Sequence, residues 1–337
     1  MDRIKILVLG LGNYGHSWAA SVLPACRECA SLVGVVEKQK EKWKGIEENV
    51  PKFEDLMTAL EVTKPDLVIN VTPPNMHYEL STLLLQNNIA VLCEKPIADS
   101  YENAVAMGRV LDETNGFLMI GENYRYHTVF REAKKILQTN GLGNIHHIQC
   151  CFRHYHPDYS MFYHGTLKHP LLEDVTIHHL DLARYLSSKE PVKVWCQEFK
   201  AEYSWYAERP ASAVIVTEMT DGVVFHYNGT LASPVSSTDW NGNWEIECDN
   251  GILKIENHKI FMIKGEKTIE VPIIKEAEDS RIIMLREACR ALKEKRKAET
   301  GYEDNFKSFN WMQKAILSSQ EKEWIATSDE NKEFFCD

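Results

Sequence analysis

Residues 3–15, RIKILVLGLGNYG, place a short apolar run directly before three closely spaced glycines, and this stretch decides the fold. The run Lys5–Gly10 has the composition of a parallel strand that is covered on both faces. Gly10 allows a tight turn, Gly12 lets the backbone approach a pyrophosphate, and Gly15 lets a helix pack closely on the strand. The N-terminus of that helix would face the phosphates. The stretch therefore predicts a dinucleotide-binding site.

An acidic residue stands at the end of the next strand-like run. Glu37 follows Gly15 by 22 residues, a spacing at which a carboxylate can accept a hydrogen bond from the adenosine ribose. A carboxylate at that point also repels a 2′-phosphate, so we expect NAD rather than NADP, although Lys38 and Lys40 lie close by. The alternative is a glycine-bearing turn followed by a solvated glutamate.

Strand and helix patterns alternate through the first third of the chain. The five strand candidates are Lys5–Gly10, Leu32–Glu37, Asp66–Thr72, Ile89–Glu94 and Phe117–Gly121. Between them lie helical patterns, of which residues 76–88 and 101–115 are the clearest. Strands that alternate with helices predict an α/β fold with a doubly wound parallel sheet. We expect this Rossmann domain to cover residues 1–122.

The alternation stops near Glu122, and a different pattern follows. Several strand-like runs come one after another, and MTDGVV and CDNGIL carry the Asp-Gly and Asn-Gly signals of hairpins. Two helical patterns, Ser280–Arg296 and Tyr302–Ser319, come near the end. Residues 123–326 are therefore expected to form an α/β domain with a largely antiparallel sheet, and residues 327–337 a frayed polar tail.

Composition narrows the class of protein. A net charge of -11 over 337 residues argues against nucleic acid or an anionic membrane surface as the main partner. No apolar run approaches the length needed to cross a bilayer, and the N-terminus has no room for a signal peptide. Nine scattered cysteines, with Cys150 and Cys151 adjacent, are typical of a reduced cytoplasm. We expect a cytoplasmic protein.

Two further motifs follow strands of the first domain. TPPNMH, Thr72–His77, comes where the third strand reaches the ligand-binding edge of the sheet, and Asn75 is a candidate cap for the next helix. The fourth strand ends in Glu94-Lys95-Pro96. Partial desolvation lowers the pKa of a lysine toward working pH, so Lys95 is a candidate acid/base group. The alternative is an ordinary lysine at a strand end.

The stretch LLEDVTIHHLDL, Leu171–Leu182, carries two adjacent histidines between two acids. On a helix, Asp174, His178, Asp181 and Tyr185 would fall on one polar stripe, because they are spaced by four, three and four. His179 would turn about 100° away, toward the apolar side. Helical spacing thus predicts different roles for the two histidines, with an amphipathic surface helix as the alternative.

Taken together, GLGNYG, TPPNMH, EKP, GENYRYH (residues 121–127) and DVTIHHLD resemble the glucose–fructose oxidoreductase/inositol dehydrogenase (Gfo/Idh/MocA) family. The resemblance implies a Rossmann domain, then an α/β domain whose open sheet forms a homo-oligomer contact. It also implies NAD-dependent oxidation or reduction of a sugar, sugar derivative or cyclitol. The family's Gly-Gly-Gly-x-Leu element before the acid is replaced here by KHPLLED, and its Trp-containing loop by YHPDYSMFYHGTLKHP, which leaves the substrate open.

The resemblance assigns the site residues by class. The catalytic residues would be Lys95, Asp174 and His178. The cofactor-binding residues would be Gly10, Gly12, Asn13, Tyr14, Gly15, Glu37, Thr72, Pro73, Asn75, His77, Glu94, Lys95 and Arg125. The residues predicted to line the substrate pocket are Lys95, Tyr124, His154, His156, Tyr163, His164, Lys168, Asp174 and His178, with a histidine-bearing surface loop as the alternative for the segment before Asp174.

The chemistry expected of the three catalytic residues follows from their types. A histidine, with an ordinary pKa of about 6.5, can take the hydroxyl proton as a carbonyl forms. Lys95 would stabilise negative charge on the reacting oxygen, and Asp174 would orient the substrate. No spacing of Cys, His and Asp completes a tetrahedral set, so no metal site is predicted. The alternatives are a ligand-sensing regulator without turnover and an NAD-retaining glycosidase or lyase that uses transient oxidation.

Overall fold

The computed structural model describes residues 3–139, 141–155, 158, 160, 163–206, 208–273 and 278–328, with the side chain of Tyr163 left out. The chain forms two compact units, and each is described by itself. The first unit comprises Met1–Asn123 and Glu278–Phe306, and the second comprises Tyr124–Ala277 and Lys307–Asp337.

The first unit contains a six-stranded sheet in the order β3-β2-β1-β4-β5-β6, and every pairing is parallel. The strands are β1 Ile4–Leu9, β2 Ala30–Val36, β3 Lys52–Phe53, β4 Leu67–Asn70, β5 Ala90–Cys93 and β6 Leu118–Ile120. All residues of β4, β5 and β6 are buried, which explains their continuous apolar runs. The predicted doubly wound parallel sheet is confirmed. The two-residue strand β3 carried no periodic signal.

Helices connect these strands. They are α1 Asn13–Ser17, continued by a π-helical turn Trp18–Val22 and by α2 Leu23–Ala25, then α3 Leu56–Thr63, α4 His77–Gln86 and α5 Tyr101–Thr114. A later helix, α8 Ser280–Glu294, belongs to the same unit. Short 3₁₀ turns cover Lys40–Trp43 and Pro74–Met76. Asp55 caps α3 and Ser100 caps α5, each by accepting a hydrogen bond from a backbone N–H of the first turn.

Residues 278–306 group with the first unit, whereas the sequence interpretation put all of 123–326 in one C-terminal domain. Specific hydrogen bonds explain the difference. Thr300 Oγ1 donates to the carbonyl oxygen of Ile120 at 2.8 Å, and Tyr302 Oη donates to that of Ala104 at 2.8 Å. The returning segment therefore extends the Rossmann unit beside β6. Contacts between segments so far apart in the chain do not change the local pattern of apolar residues, so the sequence pattern does not predict them.

The second unit contains a nine-stranded sheet in the order β14-β13-β12-β11-β7-β10-β9-β8-β15. The strands are β7 Ile145–Arg153, β8 Pro191–Lys200, β9 Pro210–Met219, β10 Val224–Thr230, β11 Asn243–Cys248, β12 Gly251–Glu256, β13 Lys259–Lys264, β14 Lys267–Val271 and β15 Ile325–Ala326. Among the described strands of this sheet, only β7 and β10 pair in parallel; the other pairings are antiparallel. The predicted antiparallel-rich sheet is confirmed.

Both predicted hairpin signals lie at turns. Asp221 and Gly222 have φ of 58° and 76° between β9 and β10. Asp249 and Asn250 join β11 to β12, which begins at Gly251 with φ of 151°. The positive φ angles of Gly222 and Gly251 favour glycine, which explains the second residue of each dipeptide. The expectation of fraying is wrong at Thr327, whose backbone N–H donates to the carbonyl oxygen of Val192 at 2.9 Å. From residue 329 onward the predicted tail lies outside the described residues.

Helices pack on one face of the nine-stranded sheet. They are α6 Thr128–Thr139, α7 Ile177–Ser187 and the part of α9 (Tyr302–Glu321) that belongs to the second unit. Alternate residues of β9 point to this face, and Trp311 of α9 donates to Thr217 Oγ1 at 3.1 Å. The layer covers Ile215 and Phe152, which are fully buried. The unit's core therefore lies between this sheet face and α7, the helix of the double-histidine stretch.

The nine cysteines include one CxxC pair, Cys26 and Cys29. Burial raises the pKa of the Cys26 thiol to about 12 and also raises the pKa of Cys29. The cysteines of the described chain are thiols, and those two are held in the protonated form at neutral pH. In the described part of the chain, no helix combines the length and the apolar character needed to cross a bilayer.

Candidate active site

The glycine turn has the geometry that a dinucleotide needs. Gly10 has φ of 95°, and a β-carbon there would stand 2.9 Å from the carbonyl oxygen of Val71. A β-carbon on Gly15 would overlap the carbonyl oxygen of Gly10. At Gly12, by contrast, no atom lies within 4 Å of the position of a β-carbon. Gly10 and Gly15 are thus required by the protein itself, and Gly12 leaves open space where a ligand can approach.

Glu37, directly after β2, is linked to the glycine turn by a hydrogen bond. Its Oε2 accepts from the backbone N–H of Leu11 at 3.0 Å, and its Oε1 accepts from that of Gln39 at 3.0 Å. Lys42 Nζ lies 3.7 Å from Oε2. Each carboxylate oxygen can accept a second hydrogen bond, so Glu37 is positioned to accept from a ribose hydroxyl next to the glycine turn. This arrangement fits a dinucleotide whose ribose carries no 2′-phosphate.

The TPPNMH turn places its side chains differently from the sequence interpretation. Asn75 lies inside the 3₁₀ turn Pro74–Met76, and the following helix has no side-chain cap, so the predicted capping role is wrong. His77 is buried, with Nδ1 2.8 Å from the carbonyl oxygen of Pro96 and Nε2 2.8 Å from that of Thr72. Its ring therefore connects this turn to the EKP segment, and its contact with a cofactor stays a prediction.

The EKP segment lies at the carboxyl end of β5. Trp18 Nε1 donates to Glu94 Oε1 at 2.9 Å, and burial raises the pKa of Glu94 to about 7, against the opposing effects of Trp18 and Lys95. Lys95 is half-buried, and the Lys95–Pro96 peptide bond is cis. The segment thus places a carboxyl group that can titrate near neutrality beside the predicted catalytic lysine.

In the second unit, the double-histidine stretch is a π-helical turn, Leu172–Thr176, that runs into α7. Asp174 lies in the π turn, and His178 in the first turn of α7 is 5% exposed. His179 packs among Phe152, Tyr227 and Trp244, and its Nε2 lies 3.0 Å from the carbonyl oxygen of Trp240. Burial lowers the pKa of His179 to about 3. The predicted packing role of His179 is confirmed.

The predicted polar stripe does not continue along α7. Asp181 is fully buried, and Arg125 Nε and Nη2 donate to its two carboxylate oxygens at 2.5 and 2.6 Å. Ser308 Oγ also donates to Asp181, at 2.7 Å. Tyr185 lies under Arg125, whose guanidinium is 5.7 Å from its ring centre. This half of the stripe therefore anchors α7, and the structure gives Arg125 an internal partner; its contact with a cofactor stays a prediction.

The face of the His178 imidazole is covered by Tyr124. The two rings are stacked with centroids 4.0 Å apart and an interplanar angle of 3°. Tyr124 also makes T-shaped contacts with the rings of His127 and His179, with centroids 5.1 and 6.1 Å apart. A flat stack restricts the tilt of the imidazole and so fixes the directions of its two nitrogens. Tyr124, predicted to touch substrate, thus has a second role as a support for His178.

Asp174 has its own partner in the segment before it. His164 Nε2 lies 3.7 Å from Asp174 Oδ2. The backbone of this segment is held by Arg209, whose Nη1 donates to the carbonyl oxygens of His164, Gly165 and Leu167 at 2.9, 2.9 and 3.1 Å. His164 and Asp174 therefore lie side by side, and their contact with a substrate stays a prediction. Lys168 is exposed, and His156 and the side chain of Tyr163 lie outside the described residues.

Two neighbours of the site were missed in the sequence. Trp240 lies beside His154 with ring centroids 4.2 Å apart. His169 Nδ1 lies 2.8 Å from Glu198 Oε2, and although burial opposes its charge, Glu198 raises the pKa of His169. The only sequence signal was an aromatic residue in the loop DWNGNW, since the partner of His169 is 29 residues away. Within the described ranges, no group of three or more His, Cys, Asp or Glu residues is arranged to hold a metal ion.

Comparison with known proteins identifies the family. Residues 4–122 match the sequence model of the oxidoreductase family with the NAD-binding Rossmann fold, and residues 130–254 match that of the GFO/IDH/MocA C-terminal domain. The uncharacterized protein y4oX of Sinorhizobium fredii is 22% identical over 268 residues, which are 76% of this chain and 74% of y4oX. Inositol 2-dehydrogenase of Rhizobium meliloti is 30% identical over 129 residues, 38% of each chain, so this match spans well under half of that enzyme.

Solved structures agree on the fold. An oxidoreductase from Agrobacterium radiobacter, crystallised with NAD⁺, L-tartaric acid and magnesium, is 18% identical and superimposes with a TM-score of 0.86 over 97% of this chain and 99% of the other. At that identity the likeness shows the fold alone. The two family models, however, cover more than two thirds of the chain between them. The chain belongs to the Gfo/Idh/MocA family of oxidoreductases.

Proposed function

We propose that the protein is an NAD-dependent dehydrogenase or reductase that acts on a hydroxyl-bearing carbon of a sugar, sugar derivative or cyclitol. The observation that carries this proposal is the stacking of the His178 imidazole on the ring of Tyr124. His178 lies in the first turn of α7, and Asp174 lies in the π-helical turn just before that helix. A fixed, slightly exposed imidazole four residues after a carboxylate suits proton transfer at a hydroxyl group. Family membership and the named relative support the substrate class.

The residues that would hold the cofactor lie in the first unit. The backbone of Gly12 leaves open space, and Glu37 presents carboxylate oxygens beside the glycine turn. These features fit the NAD-binding Rossmann fold of the family. When bound, the nicotinamide supplies the hydride acceptor or donor.

We assign the proton chemistry to three side chains. His178 would take the hydroxyl proton of an alcohol as its carbon is oxidised, and would return it in the opposite direction. Lys95 would donate a hydrogen bond to the reacting oxygen, where negative charge develops. Asp174, next to His164, would accept from a second hydroxyl and fix the substrate's orientation.

The test is single-turnover NADH formation with a panel of hexoses, uronates, inositols and keto sugars, each with NAD(H) and NADP(H), over a range of pH. We expect His178→Asn and Lys95→Met to slow the chemical step by at least about a hundredfold, the lower bound for losing a general acid/base group. His146→Asn, at the start of β7 with its exposed ring paired to Asp249, serves as the control. A near-normal rate in His178→Asn contradicts the assignment.

Two other outcomes of this panel favour other functions. Cofactor that stays bound through purification, without net NADH formation, points to an NAD-retaining glycosidase or lyase. Ligand binding without any turnover points to a sensing protein. Dehydrogenase activity with free exchange of NADH supports the proposal.

We also propose that the sheet of the second unit forms a homo-oligomer contact, as the resemblance implies. Supporting this, the strand residues that point away from the helical layer include several apolar side chains. They are Trp195, Phe199, Val214 and Val216, of which Phe199 is exposed. An apolar surface of this kind is typical of an interface. Sedimentation of the purified protein against Val216→Glu tests it, and a monomeric wild type refutes it.

A further inference from the structure

An exposed tryptophan stands at the edge of the sheet in the second unit. Trp240 is 41% exposed, and it lies where the parallel strands β7 and β10 both end. Its ring lies 4.2 Å from that of His154 and 5.9 Å from that of Phe152, with tilts of 41° and 32°. One side of the indole is therefore supported by other rings, while a large part of it faces solvent.

The loop that carries Trp240 is fixed by its own hydrogen bonds. Asn241 N–H donates to Asp239 Oδ1 at 2.9 Å, and Gly242 N–H donates to the carbonyl oxygen of Asp239 at 3.1 Å. Trp244 Nε1 donates to the carbonyl oxygen of Asn241 at 2.7 Å. Gly242 adopts φ of 72°, which the turn requires. Because the loop is held in place, Trp240 presents its face without a large entropic cost on binding.

Trp240 is directly connected to the proposed catalytic helix. Its carbonyl oxygen lies 3.0 Å from His179 Nε2, and His179 is the neighbour of His178 in the first turn of α7. Phe152 packs against both His179 and Trp240, with centroids 5.3 and 5.9 Å away. The exposed indole and the imidazole proposed as the base thus belong to one rigid cluster within the second unit.

Other exposed aromatic and apolar residues lie in, or contact, the connection between β10 and β11 (residues 231–242), which also contains Trp240. Tyr155 pairs with Ala232, and Tyr203 Oη donates to the carbonyl oxygen of Ala232 at 2.9 Å. Tyr155, Tyr203 and Val235 are all exposed. A single surface aromatic residue needs no explanation, but a group of them beside a candidate active site indicates ligand binding.

We infer that Trp240, packed on one side against His154, is the platform on which the apolar face of a cyclic polyol, a pyranose or a cyclitol, stacks. This inference rests on the proposed function and narrows its substrate class. A ring with several C–H bonds on one face can lie flat on an indole, whereas an open-chain polyol or hydroxy acid offers no such face. Its hydroxyl groups would meet Asp239, which lies 3.4 Å from His258 Nε2.

The character of His154 agrees with this assignment. Burial lowers the pKa of His154, so its imidazole is neutral at working pH and can both donate to and accept from hydroxyl groups. The carboxylates of Asp239 and Asp174 would repel a dicarboxylate, so a neutral ring is favoured over an acidic open-chain substrate.

Steady-state kinetics of Trp240→Ala and Trp240→Phe test the inference. We expect Trp240→Ala to raise the KM of the ring substrate about tenfold with little change in kcat, and Trp240→Phe to recover most of the loss, since a phenyl ring still offers an aromatic face. Trp324→Ala is the matched control, because Trp324 is 45% exposed and contacts Lys193 instead. An unchanged KM in Trp240→Ala overturns the inference, even if His178→Asn is inactive.

A binding measurement makes the test independent of turnover. Saturation-transfer NMR with myo-inositol, methyl β-glucopyranoside and the open-chain polyol glucitol, on protein supplied with NAD⁺, reports which C–H protons touch the protein. We expect transfer to one face of a ring in the wild type and in Trp324→Ala, and its loss in Trp240→Ala that melts like the wild type. Absence of transfer to either ring, equal transfer to glucitol, or transfer that survives Trp240→Ala overturns the inference.

Discussion

Tyr124 and His178 are stacked face to face, with ring centroids 4.0 Å apart and planes within 3° of parallel. The contact lies within the second unit and holds the imidazole that we propose as the acid/base group. We predict that Tyr124→Phe keeps kcat within about threefold, because phenylalanine preserves the ring face. Tyr124→Leu should lower kcat about tenfold to a hundredfold with KM little changed, since a misaligned base slows the chemical step.

Whether kcat or KM changes separates this supporting role from direct substrate binding. If Tyr124 acts chiefly by touching the substrate through its hydroxyl group, Tyr124→Phe raises KM and Tyr124→Leu adds little more. Steady-state kinetics on both variants decide between these roles, with thermal melts to show that each one folds.

Features that depend on neighbouring residues in the chain can be predicted from this sequence. Buried parallel strands such as Ile4–Leu9 appear as continuous apolar runs, and hairpins appear as Asp-Gly or Asn-Gly, because both depend on adjacent residues. The separation of His178 from His179 likewise follows from helical periodicity. These features are local, so they can be predicted.

Other features depend on residues far apart in the chain. Asp181 appeared to extend the polar stripe, but its partner Arg125 is 56 residues away and draws it into a buried ion pair. The π-helical turn at Leu172–Thr176 also departs from the regular spacing on which the stripe was based. Neither the pairing nor the turn has a signal in local composition, which explains why half of the stripe was misinterpreted.

The glycine turn gives a prediction about cofactor binding. We expect Gly12→Ser to leave the thermal stability of the cofactor-free protein nearly unchanged, because Gly12 has an extended backbone and open space around it, and serine suits the N-cap. The same change should weaken NAD⁺ binding at least about tenfold, since the side chain would obstruct the approach of a pyrophosphate. Calorimetric titration with NAD⁺ measures this.

Gly15→Ala is the companion variant. A β-carbon there would overlap the carbonyl oxygen of Gly10, so we expect destabilisation of about 1–3 kcal/mol even without cofactor. Equal effects of the two variants on the melting temperature would contradict this division between a ligand-facing and a structural glycine.

The position of the Glu37 carboxylate predicts a preference for NAD⁺ over NADP⁺. Its carboxylate accepts from the backbone of Leu11 and Gln39, so the charge is fixed beside the glycine turn. We predict that the wild type binds NAD⁺ more tightly than NADP⁺ and that Glu37→Gln shifts this preference toward NADP⁺ by about tenfold or more, through loss of one acceptor and of the repulsion of a 2′-phosphate. Glu41→Gln, in the exposed turn that follows, is the control. A wild type that prefers NADP⁺ would refute the role given to Glu37.

The last prediction concerns pH and Glu94. Burial raises its pKa from 4.5 to about 7, so in the folded protein the carboxyl group stays protonated at pH values where the unfolded chain has already lost the proton. Folding therefore becomes less favourable as pH rises from about 4.5 to 7, by roughly 3 kcal/mol for a shift of this size. Glu94→Gln remains neutral and can still accept from Trp18 Nε1 through its amide oxygen. Without cofactor, we expect the variant and the wild type to melt at similar temperatures at pH 5 and the variant to melt several degrees higher at pH 8.5.

Glu79→Gln, on the exposed side of α4, is the control and should show no such dependence of the melting temperature on pH. A difference between Glu94→Gln and wild type that is the same at both pH values would mean that Glu94 is ionised in the fold throughout this range.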